Sequence, residues 1–82
     1  MKLEEFNEMH QTVLACREQL LVITQKLRVI SHKMKFEPVL KEAAVGIDKS
    51  TDNLQKVIDD LYSALRYIEL LDEFIRDLHG GI

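Results

Sequence analysis

Residues 6–34, FNEMHQTVLACREQLLVITQKLRVISHKM, decide the fold class. Phe6, Val13, Leu20, Leu27 and Met34 stand seven apart, and Met9, Cys16, Ile23 and Ile30 form a second row three residues later. Two apolar rows sustained over four heptads are the a and d positions of a helix packed with a left-handed twist. The pattern predicts a helix from Leu3 to about Lys35.

The second half repeats the pattern. Leu40, Ile47, Leu54, Leu61, Ile68 and Ile75 are seven apart and all aliphatic, with Ala43, Ser50, Val57, Ala64, Leu71 and Leu78 as the companion row. Pro38 suits the first turn of a helix, where its missing N–H costs nothing, and Glu37 before it is pushed out of the α region. The sequence therefore predicts a turn at 36–37 and a second helix over 38–79. Gly46 and the run Asp48-Lys49-Ser50-Thr51-Asp52 oppose a continuous helix. Glycine costs about 1 kcal/mol in a helix interior, and Ser, Thr and Asp favour helix starts. A break near 46–51 would leave a short helix 38–46 and a third helix from about residue 51. The unbroken heptad phase from Leu40 to Ile75 favours one helix, kinked or straight.

The expected fold is all-α: a hairpin of two long antiparallel amphipathic helices forming one domain over 1–82. Composition agrees. The chain is 46% hydrophobic and 30% charged, with one Pro and three Gly, too apolar for disorder and too poor in turn residues for a sheet.

The apolar stripes are wider than one hairpin seam. Leu14, Leu21, Val22 and Val29 flank the first, and Ile58, Tyr62, Leu65 and Tyr67 the second. Folded back at 36–37, the first helix would cover the second only to about Glu69, leaving an apolar overhang about 15 Å long. Both features predict completion of a four-helix bundle, by homodimerisation or with a protein partner. The residues expected at that interface are Leu61, Leu65, Ile68, Leu71, Phe74, Ile75 and Leu78.

Charge is uneven along the chain. The net charge is −3, but between Lys26 and Lys49 six basic residues meet three acidic ones, a local +3, while the two ends together hold −6. A basic tip containing Lys26, Arg28, Lys33 and Lys35 is expected at the turn. Only Phe36 supplies a ring there, and the domain as a whole is acidic, which argues against nucleic acid as the partner.

Nothing in the sequence points to catalysis, a cofactor or a metal. His10, His32 and His79 lack ligand spacing, and a di-iron bundle would need Glu-x-x-His pairs. Cys16 sits at a helical core position with no adjacent base and reads as a small packing residue. A lone cysteine suits a reducing compartment, and cytoplasmic location is expected. No apolar run is long enough to span a membrane. The acidic start Met-Lys-Leu-Glu-Glu is unlike a signal peptide, although leaderless export would leave no such mark.

In size and pattern the chain resembles the small hairpin proteins of bacterial secretion systems, namely the type III needle-subunit co-chaperones and the type VII WXG100-like substrates. It has no Trp and so lacks the WXG turn, with Val45-Gly46-Ile47 at mid-chain in its place. Small phage-encoded inhibitors and regulators form another comparable group. These resemblances are architectural and carry little about function. They leave three expectations: an adaptor, chaperone or inhibitor working by helix packing, a leaderless secreted hairpin, or a helical-hairpin RNA-binding regulator.

Overall fold

A computed structural model describes residues 2–80, with side-chain positions through Leu78. Helix α1 spans Leu3–Met34, a 3-10 turn occupies Pro38–Leu40, and helix α2 spans Lys41–Gly80. The two helices pack against one another along their length, and no strand occurs among the described residues. The chain is a helical hairpin. Its dimensions of 67 × 16 × 15 Å and its radius of gyration of 18.7 Å describe a rod; a globule of this length would measure about 12 Å.

Local chemistry explains the helix ends. Glu4 and Glu5 lie in the first turn of α1 and His32 and Lys33 in its last, both favourable to the helix dipole. The end of α1 tightens through short-range bonds: Phe36 N–H donates to Lys33 O (3.3 Å) and Glu37 N–H to Met34 O (3.0 Å). Glu37 is extended, with φ −105° and ψ 113°, as a residue before proline must be. Pro38 then opens a 3-10 turn rather than the α-helix itself, so α2 begins three residues later than the sequence pattern suggests.

Helix α2 runs unbroken through residues 46–51. The residues that favour a new helix start have their hydroxyls committed elsewhere. Ser50 Oγ donates back to the Gly46 carbonyl at 3.0 Å and Thr51 Oγ1 to the Asp48 carbonyl at 2.8 Å. Asp48 turns across the hairpin to Ser31 and Lys35. None of the three caps a helix.

The seam lies elsewhere than the apolar rows suggest. Its centre on α2 is the row Ala44, Thr51, Ile58 and Leu65, and on α1 it includes Thr24 and Ser31; these six residues are buried. Ile58 and Leu65, expected to flank the seam, are its core. The row Phe6 to Met34 and the row Ile47 to Ile75 are half-buried and border the seam. The companion rows are exposed, Met9, Ile23 and Ile30 to 53%, 47% and 47%, and Val57 and Leu78 to 44% and 57%. Both helices are thus rotated by one heptad row from the orientation that would bury the most apolar surface. Small residues at the tip explain the choice. Ser31 Oγ lies 3.3 Å from the backbone carbonyl of Ala44, an approach that a Leu or Ile at either position would block.

The cross-hairpin pairs run in opposite directions along the two helices, their residue numbers summing to between 75 and 83. Ser31 meets Ala44 and Asp48, Arg28 meets Gln55, and Arg17 meets Tyr62. Extrapolated, this register sets Leu3 opposite the turn that begins at Asp72. The overhang of α2 is therefore about one turn rather than ten residues, because residues 35–40 are spent on the turn and do not extend either helix.

Candidate partner-binding surface

The position of the apolar rows relative to the seam builds the surface. Successive residues of an α-helix turn by about 100°, so on each helix the row bordering the seam lies about 60° from its centre and the exposed companion row about 100° away. The displacement has the same sense on α1 and α2. Because the helices run antiparallel, the same sense brings both stripes to one side of the hairpin. One face is therefore apolar along both helices, centred on Leu20, Ile23 and Ile30 of α1 and on Val57, Leu61 and Leu71 of α2.

The opposite edge holds the polar contacts between the helices. Arg28 Nη2 donates to Gln55 Oε1 at 3.1 Å, and Gln55 Nε2 donates to Asp59 at 3.1 Å. Lys35 Nζ lies 2.9 Å from Asp48. The guanidinium of Arg17 stacks over the ring of Tyr62, 5.2 Å from its centroid. Hydrogen bonds from Ser31 and then from Lys35 hold the Asp48 carboxyl below its ordinary 3.8. These contacts close one edge of the hairpin and leave the apolar face open.

No family, curated protein or solved structure matches the chain. The surface itself is therefore the ground for a functional reading.

The expected interface residues divide into three groups. Leu65 is 4% exposed and belongs to the hairpin's own seam, so it is withdrawn from the partner surface. Leu61, Ile68 and Ile75 are half-buried at the border between seam and face. Leu71, Phe74 and Leu78 are free, at 37%, 60% and 57%. Phe74 and Leu78 are exposed mainly because they point away from α1, since α1 reaches nearly as far as they do. The pattern omitted Met9, Ile23 and Ile30, which the rotation of α1 brings to the same face. A signal for them existed in the row His10, Arg17, Thr24 and Ser31, whose small and polar members mark a close helix approach.

The four basic tip residues do not act as one patch. Arg28 and Lys35 are engaged with Gln55 and Asp48 on the polar edge, while Lys26 and Lys33 are exposed on the outside of α1. Phe36 is 75% exposed and meets the ring of His32 edge-on, with centroids 5.3 Å apart.

Among the described residues no three His, Cys, Asp or Glu side chains gather as a metal site, and no helix is long and apolar enough to cross a membrane. Surface depressions on α1 are shallow and open, lined by residues such as Val22, Ile23, Val29 and Ile30. Cys16 is exposed on the apolar side of α1, a correction to its reading as a packing residue inside the hairpin.

Proposed function

We propose that this chain is a non-catalytic interaction module, an adaptor, chaperone or inhibitor that works by packing its apolar face against helices of another protein chain. The observation that carries the reading is the continuous apolar face shared by both helices. Only Ala44, Ile58 and Leu65 are buried apolar residues among those described. A core this small holds a hairpin weakly, while Met9, Ile23, Ile30, Val57 and Leu71 stand exposed beside it. Exposed apolar area of this extent, edged by charged residues, marks an interaction site. The mechanism is burial of the face, with charges at the two ends setting orientation. A cytosolic location fits the exposed thiol of Cys16.

The test is the chain's response to concentration. An interaction module of this kind binds an apolar fluorescent dye when dilute and loses that binding when its face is covered, with a thermal midpoint that rises as a partner is added. A chain that stays a monodisperse monomer at every concentration and binds no dye would remove the basis for the reading.

A further inference from the structure

We propose that the occupant of the apolar face is a second copy of this chain, laid antiparallel, so that the tip of each hairpin covers the open end of the other and two copies close a four-helix bundle. The proposal rests on the interaction reading above and names its partner.

Area and length come first. A face 67 Å long and 16 Å wide presents on the order of 1,000 Å², above the roughly 800 Å² per partner of a stable interface. Full cover requires a partner as long as the hairpin, and a second copy has that length.

Symmetry and charge choose the arrangement. A two-fold axis along the rod would set tip beside tip, placing +3 on +3 and −6 on −6. A two-fold axis across the rod, in the plane of the interface, sets the +3 tip of each copy over the −6 ends of the other. It also pairs α1 with α1 and α2 with α2, each antiparallel. In the first pairing Glu5 of one copy approaches Lys33 of the other, both on the outer flank of α1. Like charges opposed across an interface repel one another and disfavour that arrangement, so the crosswise axis is favoured.

The ends match in polarity as well. Phe36 and Val39 at the tip are 75% and 88% exposed, and Phe74 and Leu78 at the open end are 60% and 57% exposed. The antiparallel dimer brings each exposed pair near the other. The tip-to-tip dimer leaves both ends uncovered by their complements.

The experiment uses the full chain. Light scattering across a concentration series gives its mass, and dipolar electron resonance gives orientation. Mass and dissociation constant are read on the native chain. Because Cys16 lies on the face itself, the label on Lys41→Cys at the tip, in a Cys16→Ala background, reports orientation in the variant only where light scattering gives it the native mass. The expected result is a particle of twice the 9.5 kDa chain mass, with label separation approaching the 67 Å rod length. The dissociation constant rises severalfold in about 1 M salt, where the screening length is about 3 Å. A dimer with labels two to three helix diameters apart, on the order of 30 Å, overturns the antiparallel arrangement, as does an unchanged dissociation constant in high salt. A monodisperse monomer that binds an apolar dye overturns the self-partner and leaves the interaction face standing. A monomer that binds no dye overturns both.

Discussion

The hydroxyl of Ser31 on α1 donates a hydrogen bond to the carboxylate of Asp48 on α2, and Lys35 reaches the other carboxylate oxygen at 2.9 Å. The hydroxyl oxygen is also 3.3 Å from the Ala44 carbonyl. Helix contact at the tip is thus set by a seryl side chain against backbone, with a carboxylate fixing the rotation. The apolar face is a consequence. With the seam pinned through small and polar residues at this end, the aliphatic rows of both helices are turned aside toward the same face.

The Asp48 carboxyl titrates below 3.8 because the Ser31 hydrogen bond, followed by that from Lys35, favours its charged form. A folded-state value depressed below the unfolded one means that the stabilisation is present above the unfolded value and lost as pH falls through the folded one. Carbon-detected NMR of the side chain should give a midpoint below 3.8 in the native chain. Ser31→Ala should move the midpoint upward, and Asp48→Asn should flatten the acid limb of the stability profile. An Asp48 midpoint unmoved by Ser31→Ala would contradict the assigned cause.

Thr24 and Thr51 are 1% and 3% exposed, yet their hydroxyls only bond back to carbonyls of their own helices, Leu20 O at 2.7 Å and Asp48 O at 2.8 Å. Such bonds add little to a helix, and removing a buried hydroxyl together with its need for a partner can stabilise. The double variant Thr24→Val, Thr51→Val should raise stability by about 1 kcal/mol, measured by denaturant unfolding. Ile58→Ala in the same row should lower it by about 3 kcal/mol, through lost burial and a cavity.

Much of this fold is legible in the sequence. The heptad rows of both halves gave two helices, and the unbroken phase from Leu40 to Ile75 outweighed Gly46 and the Ser-Thr-Asp run. What the rows could not give was helix rotation. Hydrophobicity ranks Ile23 and Ile30 above Thr24 and Ser31, but close packing at the tip depends on size, and the small residues occupy the centre. The same rotation explains why Leu65 belongs to the core and Met9 to the surface. The overhang is shorter than the sequence pattern predicts because Pro38–Leu40 form a 3-10 turn that adds nothing to the paired length.

Gly46 is an exposed helical residue with ordinary negative φ, and a Cβ added there would meet no atom within 4 Å. Nothing in the hairpin therefore requires glycine at this position. Gly46→Ala should stabilise by up to about 1 kcal/mol, by helix propensity and by restricting the unfolded chain. Thermal unfolding of the dilute chain reads this directly. A destabilised variant would indicate that position 46 lies against a partner backbone, since only a close neighbour absent from the hairpin could object to a methyl group.

Phe74 separates the strength of the hairpin from the strength of its assembly. The ring is 60% exposed, so truncating it removes few contacts within the chain. In dilute samples Phe74→Ala should leave helix content unchanged and stability within about 0.5 kcal/mol, as surface changes do. Phe74 lies at the outer border of the face, so covering the face buries only part of the ring, and the same substitution should then cost about 1 kcal/mol. Thermal midpoints of the native chain and of Phe74→Ala should therefore coincide at low concentration and diverge as concentration rises. Leu65→Ala should behave in the opposite way, lowering the midpoint at every concentration because that side chain packs inside the hairpin. Parallel losses in the two variants at low concentration would place Phe74 in the core of the hairpin and remove it from the partner surface.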